Sequence, residues 1–131
     1  MKKKLENIIA DFIMNIHYHS NTMNEAIGIG FFQFDNLIKN RIPCAIFNEG
    51  IDFSQLYGNQ EIQHINRYSM DINSIESSLE SLKYRKIDPV LFICPNGSSS
   101  EIKAQTLAKK GYINCYFLIG GFAAALESSR E

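Results

Sequence analysis

Two short apolar runs limit what this chain can become: DPVLFIC at 88–94 and NCYFLI at 114–119. Each is too short for a buried helix and lacks the alternation of a strand with one face in water. Runs of this kind fit strands covered on both faces, as in a parallel sheet held between helix layers. The segment between them, Ser98 to Lys110, ends in two lysines and Gly111, the signals of a helix C-terminus. Ser98 or Ser99 is the expected cap of its start. A strand, a helix and a second strand in that order need a crossover, and so a parallel pair.

The rest of the chain extends the pattern. PCAIFNE (43–49) and HINRYSM (64–70) read as strands, and Gly30 to Phe34 as a short first one. FDNLIKN reads as a short helix with Asp35 near its start. Residues 50–63 read as a loop turning at Gly58 and Asn59. Asp71 to Arg85 carries Ile72, Ile75, Leu79 and Leu82 at helical spacing, with Asp71 or Asn73 as its cap. Gly120 and Gly121 end the last strand, and FAAALESS makes a closing helix. The expectation is an α/β fold, with a central, mostly parallel sheet of about five strands and helices on both faces.

The N-terminus is set apart. Leu5, Ile8, Ile9, Phe12, Ile13 and Ile16 form one helical stripe, broken by Glu6, Asn7, Asp11 and Asn15. This predicts an amphipathic helix over 1–20 rather than a secretory signal, whose apolar core would be unbroken. Residues 19–28 read as a linker. The division is therefore 1–28, helix and linker, and 29–131, the α/β domain. An exposed stripe would be adhesive, so it either folds back on its own domain or builds a homodimer through residues 1–20.

Composition excludes several function classes. The net charge is −1, from 13 basic and 14 acidic residues, so there is no basic field for nucleic acid. No stretch has the length of a membrane span. Three cysteines at irregular spacing, Cys44, Cys94 and Cys115, make neither a disulfide framework nor a zinc site. They point to a reducing, cytoplasmic setting. Cys44 and Cys115 lie inside strand patterns and read as core. No metal or organic cofactor is expected. His17 and His19 lack a third ligand nearby, His64 reads as ordering a loop by hydrogen bonding, and Lys2 to Lys4 read as a solvated helix start. Phe31, Phe32 and Phe34 read as core.

Cys94 is different, because a strand ends on it and a helix follows after a short loop. Ligands of parallel sheets bind beyond the carboxyl ends of the strands. The loop amides and the helix start favour thiolate over thiol. Gly97 permits a left-handed turn, whereas Pro95 subtracts one donor and holds Cys94 extended. Ser98, Ser99 and Ser100 add hydroxyls and amides. The alternative is a buried, inert cysteine at a strand end.

The stretch CPNGSSS (94–100) resembles the neutral active loop of single-domain rhodaneses, Cys-x-x-Gly-x-Ser-Ser. AQTLAKKGYINCYFLIGGFAA resembles that family's helix, Gly-Tyr turn, strand and Gly-Gly ending, QHINRYSM its Gly-His-Ile segment, and IGFFQFDNLIKN its opening strand and helix. The resemblance covers residues 29–127. Ile46 and Asn48 stand where the family has an Asp-x-Arg pair, Gln63 replaces a glycine, and Ala125 replaces an aromatic residue. The segment between Glu49 and His64 is longer than usual.

The resemblance implies a rhodanese-like three-layer fold and sulfur transfer through a persulfide on Cys94. A donor such as thiosulfate would supply the sulfur, and a thiol, a protein or cyanide would accept it. Pro95, Asn96, Gly97, Ser98, Ser99 and Ser100 would form the substrate cradle. A related phosphatase would need a loop arginine, and none is present. The rival expectation is a weak or inactive module serving protein interaction, sulfur relay or redox sensing. A sulfur lying away from inward-facing N–H groups, or sealed from solvent, would leave only the family likeness.

Overall fold

The computed structural model describes residues 25–71 and 74–130. The expected helix over 1–20, and any dimer built by it, lie outside the described residues. In chain order the elements are β1 (Ile27–Ile29), α1 (Phe31–Lys39), β2 (Ala45–Asn48), a 3-10 turn (Phe53–Gln55), α2 (Asn59–Ile62), β3 (Asn66–Ser69), α3 (Ile75–Ser81), β4 (Val90–Ile93), α4 (Ser98–Ala108), β5 (Cys115–Leu118) and α5 (Gly121–Ser129).

The apolar runs become the middle of one five-stranded sheet of order β1-β5-β4-β2-β3. All four pairings are parallel. Every residue of β4 is buried, as a doubly covered strand requires. Alternate side chains feed two cores. Ile46, Leu91, Ile93, Tyr116 and Leu118 pack beneath α1, α2 and α5. Ala45, Phe47, Val90, Phe92, Cys94 and Cys115 pack beneath α3 and α4. The fold is the expected three-layer α/β arrangement. Cys44 and Cys115 are buried, as read, and burial pushes both thiols up to about 12.

The boundaries needed correction in four places. The first strand is Ile27–Ile29, inside the segment read as a linker, and Phe31 opens a helix instead of continuing a strand. Gly30 caps that helix, and its N–H donates to Gln33 Oε1 at 2.8 Å. Helical geometry then splits the three phenylalanines. Phe34 is buried, Phe31 is half-buried, and Phe32 is 81% exposed, so Phe32 is not core. Residues 50–63, read as loop, carry the 3-10 turn and α2, because the Asp52 carboxylate accepts from Ser54 N–H and Glu61 accepts from Gly58 N–H. The N-cap residue of α3 is Ser74, not Asp71 or Asn73 (the latter outside the described residues), and the N-cap of α4 is Gly97, with Ser98 its first residue.

His64 also departs from its reading. Both ring nitrogens are buried without a hydrogen-bond partner. Burial, then the nearby Arg41, hold its imidazolium form below the usual histidine range. The unfolded chain takes up this proton near pH 6.5 and the folded chain only at lower pH. Between those values unfolding binds a proton, so stability falls as pH drops. Urea midpoints taken at about pH 7.5 and about pH 5.5 should fall further for the wild type than for His64→Leu.

Candidate active site

The connection from β2 to β3 runs through α2 on one face, and that from β4 to β5 runs through α4 on the other. β2 and β4 are neighbours whose chains depart in opposite directions, which makes their carboxyl ends the topological switch point of the sheet, where such folds take ligands. Cys94 follows β4 at that point, and Glu49, following β2, donates its N–H to the Ile93 carbonyl at 3.1 Å.

The loop closes on the sulfur. Gly97 adopts φ +92°, the left-handed angle that reverses the chain after two residues. Its N–H then points at Cys94 Sγ at 3.1 Å, and the Ser100 N–H reaches Sγ at 3.3 Å. Ser100, itself buried, donates its hydroxyl to the Gly97 carbonyl at 3.1 Å and accepts from the thiol at 3.4 Å. Rotation of that hydroxyl would turn it from acceptor to donor once the proton leaves. Burial pushes the thiol up, but hydrogen bonds from Ser100, and from the Gly97 and Ser99 amides, outweigh it, and the net shift is downward. Cys44 and Cys115, equally buried, lack such a cradle.

Not every expected cradle residue faces the sulfur. Asn96 places Oδ1 3.8 Å from Sγ but spends it mainly on Ser98, accepting from its N–H at 3.1 Å and its hydroxyl at 2.9 Å. Ser98 is therefore turned to Asn96. Pro95 is exposed and contributes its carbonyl, which accepts from Ala123 N–H at 3.0 Å. Cys94 has no exposed surface, so of the two conditions expected to leave only the family likeness the sealed sulfur is met, whereas the other is not, because two N–H groups face Sγ. Of the side chains bonded to Sγ, that of Asn96 belongs to an exposed residue and that of Ser100 to a buried one.

The sequence reading missed the support beneath the loop. Phe122 N–H donates to the Cys94 carbonyl at 2.9 Å, so the start of α5 holds two successive loop carbonyls. Gly120 and Gly121 both have positive φ, +73° and +71°. A Cβ on Gly121 would overlap the Cys94 carbonyl oxygen and lie 2.5 Å from Gly97 N and 2.6 Å from the Pro95 carbonyl oxygen. The Gly-Gly doublet is the visible signal; the sequence marks it as the end of a strand and a point of resemblance, and its support of the loop emerges only from the contacts of α5.

Ile46 is core, and Asn48 donates from Nδ2 to the Tyr68 carbonyl at 3.3 Å, joining β2 to β3. Packing and one neutral hydrogen bond thus fill the two positions where the resemblance has an Asp-x-Arg pair. Among the described residues no group of three or more His, Cys, Asp or Glu is gathered to hold a metal ion, and no helix is long and apolar enough to cross a membrane.

Comparison with known proteins fits this architecture. No curated protein matches the sequence. A rhodanese-related protein from Thermoplasma volcanium is similar in structure, with 14% identity, a TM-score of 0.49, and coverage of 78% of this chain and 92% of the other. A Rhodopseudomonas palustris protein of unknown function, described as a possible tyrosine phosphatase, is similar at 16% identity and a TM-score of 0.53, covering 92% of this chain and 90% of its own. The family model of the rhodanese-like domain matches residues 35–128. A strand-end cysteine in a loop of N–H donors, on a parallel sheet and inside that match, completes the case: this chain belongs to the rhodanese-like domain family.

Proposed function

We propose that this chain is a sulfurtransferase that carries a sulfane sulfur as a persulfide on Cys94 and passes it to a thiol or cyanide. The observation that carries this reading is the pair of amides, Gly97 and Ser100, aimed at Sγ from 3.1 and 3.3 Å. They favour the thiolate that must attack, and they can hold charge as it leaves and returns to sulfur. No metal or organic cofactor enters this chemistry. Phosphatase chemistry, named for the Rhodopseudomonas palustris protein, needs a cation to grip phosphate oxygens. Residues 95–100 hold no arginine or lysine, and Glu101 follows them.

The complete burial of Cys94 favours a second reading, a rhodanese-like module whose thiol does not turn over and which serves protein interaction, sulfur relay or redox sensing. One experiment separates the two. Wild type and Cys94→Ala are treated with a panel of sulfane-sulfur donors, then with cyanide, while thiocyanate and intact mass are followed. Sulfur transfer predicts one added sulfur atom on Cys94, its loss to cyanide, and a drop to background in Cys94→Ala, about a thousandfold or more. An unmodified Cys94 that also resists iodoacetamide in the folded protein supports the module.

A further inference from the structure

Asn96–Gly97 is the single Asn-Gly step in the chain, and it lies between Cys94 and the start of α4. At such a step a backbone nitrogen can attack the side-chain amide before it, because glycine has no Cβ to block the approach. The attack needs a base for the proton of the backbone N–H, donors for the amide oxygen as it gains charge, and access for water.

The loop supplies all three. The Gly97 N–H points at Cys94 Sγ from 3.1 Å, within reach of a proton transfer. Asn96 Oδ1 accepts from the Ser98 N–H at 3.1 Å and from the Ser98 hydroxyl at 2.9 Å, two donors aimed at the oxygen that becomes anionic in a tetrahedral intermediate. Asn96 is exposed, so water reaches it and ammonia has a way out.

We infer that Asn96 is a modification site at which the loop deamidates itself, with the Cys94 thiolate as the base. The thiolate takes the Gly97 amide proton as Gly97 N bonds to Asn96 Cγ. The bond from Cγ to the side-chain nitrogen then breaks. Its electron pair leaves on that nitrogen, which takes the proton back from Sγ and departs as ammonia. The ring left behind is a succinimide. Water opens it at either carbonyl, giving an aspartyl or an isoaspartyl residue at position 96, each with a new carboxylate. Amide and water become carboxylate and ammonium, the thiolate is restored, and no oxidant or reductant takes part.

The product acts back on the thiol. Asn96 Oδ1 lies 3.8 Å from Sγ, so a carboxylate there sets a negative charge beside the sulfur and disfavours thiolate. The isoaspartyl form also lengthens the loop backbone by one atom and carries the Gly97 N–H out of line. The modification thus silences the thiol whose charge drove it. It does not depend on sulfur transfer.

The test incubates the full chain at mildly alkaline pH and follows the tryptic peptide 87–103 by mass for conversion of the amide to an acid. The folded chain should convert at least about tenfold faster than the same chain in urea. Its rate should level off as Cys94 titrates, a point read separately by alkylation. Cys94→Ala, left with hydroxide as base, should convert more slowly and keep rising with pH. Ser98→Ala should slow conversion about tenfold or more. Asn96→Asp, which installs one product, should alkylate at Cys94 about tenfold more slowly at neutral pH. A folded chain no faster than the unfolded one, a rate that climbs straight through the Cys94 titration, or a Cys94→Ala variant as fast as wild type overturns the self-catalysed step. Alkylation of Asn96→Asp at the wild-type rate overturns its effect on the thiol.

Discussion

Gly121→Ala should lower stability by about 2–4 kcal/mol and raise the Cys94 pKa. Two effects combine. Placing an L-residue at φ +71° costs about 1–2 kcal/mol. The added methyl also overlaps the Cys94 carbonyl, so the start of α5 must move off the loop. That motion breaks the hydrogen bonds from Phe122 and Ala123 to Cys94 and Pro95, which hold the loop carbonyls outward and leave its amides facing the sulfur. Gly50 isolates the first effect, because its φ is +65° and a Cβ there meets nothing within 4 Å. Gly50→Ala should therefore cost about 1 kcal/mol and leave the thiol unchanged. Urea unfolding and the pH dependence of alkylation read the two quantities. Equal stability losses in the two variants, with an unshifted thiol in both, would show that α5 does not support the loop.

Phe92→Ala should cost about 3–5 kcal/mol, a large part of the roughly 5–15 kcal/mol available to a domain of this size. Phe92 has no exposed surface and lies at the centre of the sheet. Its ring stacks on Phe47 with centroids 5.4 Å apart, and Phe47 in turn meets Tyr68 at 5.5 Å. Truncation leaves a cavity bounded by rigid strands, which cannot collapse to fill it. Phe92 also shares its face with Cys94 two residues on, so a shift of β4 reaches the loop. Phe92→Leu should recover most of the loss. Phe32→Ala, on a ring that is 81% exposed, should change stability by less than about 0.5 kcal/mol. Thermal or urea unfolding of the three variants decides it, and a small effect at Phe92 would mean a far looser core than the one described.

How far the sequence carried the reading depended on whether a signal was local. β4 and β5 were legible because continuous burial leaves a continuous apolar run, and the end of β4 at Cys94 placed the thiol where parallel sheets bind ligands. Gly97 was legible as a left-handed residue for the same reason, since the constraint is on its own backbone. β1 was not: three residues, Ile-Gly-Ile, at a sheet edge carry too little pattern, and they pair with β5, some ninety residues away. The start of α1 was hidden because phenylalanines favour strands locally, while its cap depends on the Gln33 side chain returning to Gly30.

By itself, then, the order of residues determined a parallel α/β sheet and a cysteine at a strand end with a glycine turn and helix after it, because those follow from patterns over neighbouring positions. Only the tertiary structure decided that β2 and β4 adjoin, which puts the switch point of the sheet beside Cys94, and that α5 amides brace the Cys94 loop. It also decided that the sulfur has no exposed surface. Each of these joins segments distant in the chain, and hydrogen bonds, fields and burial between such segments exist only once the layers have packed.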